Sequence, residues 1–494
     1  MDKKEAILNT LNTTISERGL KIYSLAKITG INRSTLQKSL QGTRTLNLRQ
    51  FKILINALPF SIQERKNLYD DFLECIWEKE RIISNKAILD IINVLTNLTV
   101  ENTGNSGGGG VERLKLSIYN ITFPELKKVY TGEIIFDVIK NLIIEEIELT
   151  KDISSDIRIY LPFDNDFFNK TILPCVNNLK NSLQLSILFE FFKSTQANNP
   201  QNILILRNIL PLLLDPNNHY NIYYLYSDFT NSNNLTLYPY YIILSNKIIM
   251  ISYDLNSISI IENEEFLTKY IDHHNNKVKF GNPLKVDILE IENTIKHLLT
   301  DTIYDDNMYA IAYDPCISAF VPPDMFNDLI TDEFPEREEF LNIINHRLSQ
   351  MSKIPKKYAL FNKDSIDDFI NDGYIVAFRH PNLRPCTLEQ RKIILSNILN
   401  LLDSNKIFLR AFSAEEINIS RKYEITNIQN HYDFSIMIYS ETSIRVITIH
   451  ETIISNCFIQ FINDIMETDK VYTLEETRTL FKQAINKLDN LLKK

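Results

Sequence analysis

The sequence predicts an all-α N-terminal helix-turn-helix head joined to a large α/β body, the body built as two similar lobes with mixed sheets. Three observations carry that expectation. Residues 22–58 hold short apolar stripes at helical spacing, interrupted by single glycines. Beyond residue 110, short β-branched and aromatic runs alternate with longer helical patterns. The two halves of that region also repeat one order of elements.

The head begins with Leu25, Ala26 and Ile28 on one side of a short helix that Gly30 breaks, after which Ile31 turns inward. Asn32 is placed to cap the next helix, because its side-chain oxygen can accept from the free N–H groups of the first turn. Leu36 and Leu40, at i and i+4, form the buried stripe of that helix. Its other face carries Arg33, Ser34, Thr35, Gln37, Lys38 and Gln41, with donors and acceptors and no acid. Such a face suits a helix lying in the major groove of DNA, where side chains near the helix start meet base edges. Gly42 can end the helix with a positive φ, and Thr43, Arg44 and Thr45 then form a loop able to touch phosphate. Leu48, Phe51, Ile53, Leu54 and Leu58 supply a closing helix. Ten bases against three acids give residues 1–60 a charge of +7, which leaves −16 on the remainder of a chain whose net charge is −9. A basic module on an acidic body is the electrostatic footprint of a DNA-binding head.

The LAKITGI turn, the NRSTLQKSLQG helix and the following LNLRQFKILINAL resemble the XRE-type, phage-repressor-like helix-turn-helix family over roughly residues 4–75. The resemblance implies a fold of about five small helices, with Arg33, Ser34, Thr35 and Lys38 as base or groove contacts. It also implies Gln37, Gln41, Thr43 and Arg44 as contacts to the groove edge or backbone. The chain departs from the family near the first scaffold helix, where Leu25 and Lys27 stand in place of a frequent Gln.

Residues 61–99 read as two more helices. Ser61, with Glu64 three residues on, has capping-box spacing, and Leu68, Phe72, Cys75 and Ile76 make the stripe. The second helix, with Ile82, Ile83, Ile88, Leu89, Ile92, Val94, Leu95 and Leu98, either covers a core or forms a dimer seam. Asn102 to Gly110 is glycine-rich and reads as a flexible joint that leaves the head free to reorient. The expected divisions are therefore a DNA-binding head over 1–78, a helical connector and Gly-rich linker over 79–110, and lobes over 111–300 and 301–494.

In the first lobe the pattern predicts helices over 132–149, 203–214 and 264–273, and strands over 157–161, 183–191 and 220–226. A hairpin follows across Ser245–Asn246, then a strand over 257–261. In the second lobe it predicts strands over 308–313, 357–361 and 407–412, a hairpin over 434–449, and helices over 336–351, 388–402, 453–466 and 474–492. Thr473 caps the last of these. NIYYLYSDF with YYIILSNKIIMISYD, and KIFLRAFSAEE with FSIMIYSETSIRVITIHE, share one order of strand, link, hairpin and helix. That order is common to duplicated α/β sensors and to phospholipase-D-like folds.

A phospholipase-D-like enzyme would need a His two residues before a Lys in each lobe, and none of the eight histidines has one. No H-E-x-x-H, P-loop or G-x-S-x-G occurs. The expectation is no catalytic residues, no cofactor and no metal ligands; His273–His274 is read as a helix-end cap. Five scattered cysteines, none in a C-x-x-C, suit reduced thiols in a cytoplasmic protein. Met1 to Ile22 is polar, unlike a signal peptide, and no apolar run approaches the roughly 18 residues that would span a bilayer. The expected partners are double-stranded DNA, an effector that is a small molecule or a peptide, and a second copy of the chain, with no membrane. The expected function is sequence-specific transcriptional regulation. An enzyme, degenerate or not, or an interaction platform carrying an autoregulatory head is the alternative.

Overall fold

The structure, a computed structural model, describes residues 3–101, 129–149, 155–176, 183–193, 199–214, 220–228, 237–284, 286–290, 306–334, 337–351, 354–375, 382–429, 433–440 and 443–493. The Gly-rich run of residues 102–110 lies outside them.

The N-terminal region is all helical: α1 (Lys3–Glu17), α2 (Ile22–Thr29), α3 (Arg33–Leu40), α4 (Leu48–Ala57), α5 (Ile62–Ile76) and α6 (Lys79–Glu101). Local chemistry sets the starts. Asn47 with Gln50 and Ser61 with Glu64 each close a reciprocal capping box at α4 and α5. Leu25, Ile31, Leu36, Phe51, Leu54 and Leu58 make one core with Leu11 of α1 and Phe72 of α5. The Phe51 and Phe72 rings stack at 3.8 Å. Two residues expected inside are exposed, Ile28 at 69% and Ile53 at 44%. At about 100° per residue, Ile28 falls roughly 100° from the centre of the stripe that Leu25, Ala26 and Thr29 bury, and Ile53 falls opposite Phe51 and Leu54. The apolar face of α6 is buried within the chain at Ile88, Ile91, Ile92 and Leu95, so that stripe is no open dimer seam.

The body holds two mixed sheets with helices among the described residues. The strands of the first are β1 (Val129–Thr131), β2 (Ser155–Tyr160), β3 (Leu183–Lys193), β4 (Tyr220–Asp228), β5 (Tyr240–Ile243), β6 (Ile248–Ile251), β7 (Ser257–Ile261) and β8 (Asn282–Pro283). They lie in the order β1-β7-β6-β5-β2-β3-β4-β8. The helices are α7 (Ile134–Leu149), α8 (Phe167–Thr171), α9 (Leu173–Val176), α10 (Gln201–Leu214) and α11 (Glu264–Phe280). The second sheet has β9 (Val286–Glu290), β10 (Met308–Ala312), β11 (Lys357–Asn362), β12 (Ile407–Phe412), β13 (Tyr423–Ile428), β14 (Asp433–Tyr439) and β15 (Ser443–His450). Its order is β12-β11-β10-β13-β14-β15-β9. Its helices are α12 (Pro323–Leu329), α13 (Arg337–Met351), α14 (Asp364–Asp372), α15 (Leu388–Asp403), α16 (Thr452–Glu467) and α17 (Leu474–Leu492).

The two orders match strand for strand when β2 is set against β10. In each sheet three parallel strands (β2, β3, β4; β10, β11, β12) are followed outward by an antiparallel meander. β8 is an extra edge in the first. The repeat is therefore real, but its register differs from the sequence expectation. The hairpin β5–β6 corresponds to β13–β14, not to β14–β15, because Tyr423–Ile428 is a strand where the pattern predicts a link. Tyr423 and Ile425 point inward with Thr426 and Asn427 also buried, so its polar residues hide the usual alternation. Helix α11 also runs on to Phe280, past its expected end at His273.

The chain divides into two compact units: residues 1–89 with 289–444 and 455–494, and residues 90–288 with 445–454. In the first unit the head is not free. Lys52 of α4 sits 2.6 Å from Asp469, and Arg49 donates to the Val471 carbonyl with Glu476 3.8 Å away. Arg81 of α6 pairs bidentately with Asp464 of α16. The basic closing helix thus meets acids of the C-terminal region, and this opposite charge holds α4 in place.

Candidate nucleic-acid interface

Helix α3 is positioned from both ends. At its start, Asn32 Oδ1 accepts from the Ser34 N–H at 2.9 Å and from its hydroxyl at 2.8 Å. Before it, Gly30 takes φ 67°, which frees the chain to turn between α2 and α3. Thr29 holds that turn by donating to the Leu25 carbonyl at 2.7 Å and accepting from the Ile31 N–H at 3.3 Å. At its end, Asn12 of α1 donates to the Leu40 carbonyl at 3.0 Å. Gly42 there takes φ 76°, and a Cβ on it would lie 3.1 Å from Leu8 Cδ1.

Leu36 and Leu40 hold the inner side of α3, and Arg33, Ser34, Gln37, Lys38 and Gln41 are exposed on the outer side. Thr43 and Arg44 are exposed in the loop that follows. Thr35 differs from the other residues named from the sequence. It is buried at 8% and accepts from Arg44 Nη1 at 3.2 Å, so it braces the arginine rather than facing outward. Thr43 donates its hydroxyl to the Lys38 carbonyl at 3.0 Å, which folds the loop onto the end of the helix. Arg33, Gln37 and Gln41 follow one another at i, i+4, as do Ser34 and Lys38, so one ridge carries the whole set.

The charge of this surface is unopposed. No Asp or Glu occurs between Glu17 and Glu64. Among the described residues Lys27, Arg33 and Lys38 meet no carboxylate, whereas Lys3 is held by Asp71 at 3.2 Å and by Glu74. The bases of α3 and α4 therefore fall into two sets. Arg49 and Lys52 dock α4 on the body, and the α3 set faces outward. Sequence reasoning counted both sets together, because which side of α4 the body covers is a tertiary matter.

The first lobe holds a second cluster of polar groups that the sequence pattern did not bring together. His274 is fully buried, with Nε2 3.0 Å from Ser186 Oγ and Nδ1 3.3 Å from Tyr241 Oη. Burial pushes its pKa down to about 4, helped by the nearby Arg158 and Lys277 charges. It is a neutral hub in mid-helix, not a helix-end cap. Lys277 lies 3.7 Å over the Tyr160 ring, and Tyr160 donates to Glu190. Burial lowers the Lys277 pKa, with Glu190 opposing. The missed signal was the i, i+3, i+4, i+7 run of Tyr270, His273, His274 and Lys277, which continues the helix. In the second lobe the residue types of Arg379, His380, Arg384 and Arg410 suit an anionic ligand; of these, Arg410 donates to the Leu409 carbonyl. Arg379 and His380 lie outside the described residues.

Among the described residues no group of three or more His, Cys, Asp and Glu could hold a metal ion, and no helix is long and apolar enough to cross a membrane. No protein-family model matches the chain, and no curated protein matches it. Among solved structures the chain is similar to a phosphatidylserine synthase of Haemophilus influenzae Rd KW20. That likeness covers 74% of this chain and 91% of the other, at 9% identity and a TM-score of 0.25. It is also similar to TrmBL2, an archaeal chromatin protein with a novel mode of DNA binding, over 57% of this chain and 100% of the other, at 11% identity and a TM-score of 0.19. Scores this low weigh for neither protein.

Proposed function

We propose that this chain is a sequence-specific DNA-binding transcriptional regulator, with an XRE-type head over residues 1–78 and a body that senses an effector. The observation that carries the reading is the outward ridge of α3, Arg33, Ser34, Gln37, Lys38 and Gln41, capped at both ends and free of acids. A helix with such a ridge can enter the major groove, where Arg and Lys favour guanine edges and Gln favours adenine. Thr43 and Arg44 reach the backbone beside it. A homodimer would address two half-sites about 34 Å apart. The effector acts by population shift, so it binds the DNA-competent state and its alternative with different affinity.

The test is fluorescence anisotropy on the DNA upstream of the protein's own reading frame, across a salt series. The expected result is sequence-dependent binding that an Arg33→Ala/Lys38→Ala variant weakens at least tenfold. The slope of log K against log salt should shrink by roughly 0.9 for each phosphate that the variant no longer neutralises. Equal binding to all DNA, unchanged in the variant, would refute the reading. The matched order of the two sheets favours a second reading, a degenerate phospholipase-D-like body carrying an autoregulatory head. Binding of a phosphodiester or phospholipid by the purified chain without turnover would support it, and turnover would instead support an active enzyme.

A further inference from the structure

Where α4, α5 and α6 meet α16 there is a cleft of about 460 Å³. That volume falls within the roughly 300–1,000 Å³ of small-molecule sites. Its walls are apolar at Leu73, Trp77, Ile82, Phe461 and Ile465, with Tyr69 beside them. Its charges are unbalanced. Five bases line it, Lys52, Arg65, Lys66, Lys86 and Lys470, against two acids, Asp70 and Asp464; Lys52 sits 2.6 Å from Asp469, and Asp464 is already occupied by Arg81, by Asn85 at 2.7 Å and by Gln460 at 2.6 Å. Among the described residues Arg65, Lys66 and Lys470 pair with no carboxylate. Two buried polar atoms there have no hydrogen-bond partner, the donor Arg65 Nε and the acceptor Asn85 Oδ1. A buried donor and a buried acceptor left open are costly unless something fills them.

We propose that this cleft binds a small molecule with an aromatic body, one carboxylate, and an N–H or O–H donor. The carboxylate meets Arg65 and its neighbouring lysines, the donor meets Asn85 Oδ1, and the ring lies among Trp77, Leu73 and Phe461. Burial pushes the Tyr69 phenol up to about 12, so it stays a donor at neutral pH. Because α4 and α5 of the head form one wall and α16 another, occupancy changes how the head is seated. The regulatory half of the proposal rests on the DNA-binding reading above; the site itself does not.

Trp77 is the only tryptophan of the chain, so its emission reports on this cleft alone. The full chain is titrated, with excitation at 295 nm, with hippurate, its neutral amide and N-(2-aminoethyl)benzamide, which share an aromatic amide body. Saturable change with hippurate, at least tenfold tighter than with the neutral or cationic compound, is expected. Arg65→Gln/Lys66→Gln should erase that preference, as should Lys470→Gln in part, with unchanged thermal melts. No saturable change with hippurate, equal binding of the three compounds, or hippurate binding unchanged in the variants would overturn the site. Selective hippurate binding with DNA affinity unaltered would overturn the regulatory half. Selective binding by a chain that binds no DNA would refute the DNA reading and leave the site standing.

Discussion

Asp464 is the carboxylate that holds α6 to α16, and its removal tests how firmly that helix is fixed to the C-terminal region. Its side chain is 2% exposed, and three residues donate to it: Arg81 through Nε at 2.8 Å and through Nη2, Asn85 and Gln460. Asp464→Asn keeps the shape, removes the charge and turns one acceptor into a donor that faces donors. Breaking a buried ion pair from one side costs about 3–5 kcal/mol. Arg81 is 26% exposed, so water recovers part of that, and about 2–3 kcal/mol is expected. Arg81 also lies 5.0 Å over the Trp77 ring, which makes tryptophan emission a local reporter. In urea, with a slope of about 1–3 kcal/mol/M, the Trp77 transition should move down by roughly 1 M. Arg81→Met/Asp464→Leu, which replaces the pair by apolar groups, should recover most of the loss. A shift under about 0.5 kcal/mol for Asp464→Asn, the scale of an exposed pair, would refute the buried ion pair between α6 and α16.

Other outcomes follow from the same geometry. Gly42→Ala should destabilise by about 1–2 kcal/mol and Gly30→Ala by about 1 kcal/mol in thermal unfolding. Both have positive φ, but only Gly42 would also press a methyl against Leu8. Thr35→Val should lower DNA affinity several-fold in anisotropy while leaving the melt within about 1 kcal/mol, because the hydroxyl that holds Arg44 is removed and the packing volume is kept. His274, depressed to about 4, binds a proton more readily when unfolded. Its contribution is therefore complete above about 6.5 and is lost as pH falls toward 4. That loss is roughly 3 kcal/mol, and melts of His274→Gln at pH 7 and pH 4.5 should differ by less than those of the parent chain.

Much of the head was legible in its sequence, because its determinants are local. Asn32 and Ser61 as caps, the glycines at turns and the Leu36/Leu40 stripe each depend on neighbours within four residues. Most of the strands and helices of the body were legible for the same reason, as was the existence of a repeat. Tyr423–Ile428 escaped because its buried Thr426 and Asn427 break the alternation that marks a strand. The far half of α11 escaped because its polar residues are satisfied by tertiary partners, Ser186, Tyr241 and the Tyr160 ring.

The outward face of α3 is therefore a property of sequence alone: residue type and helical period place Arg33, Ser34, Gln37, Lys38 and Gln41 together in any environment. What only the tertiary structure decided is which charges remain available. Arg49 and Lys52 are the same residue types as Arg33 and Lys38, yet Asp469, Val471 and Glu476, more than 400 positions away in the chain, take the first two and leave the others. The pairing of Arg81 with Asp464, the turning inward of Thr35 and the cleft beneath Trp77 have the same cause. Each depends on surfaces that meet only when distant segments pack, and no local rule of spacing encodes that meeting.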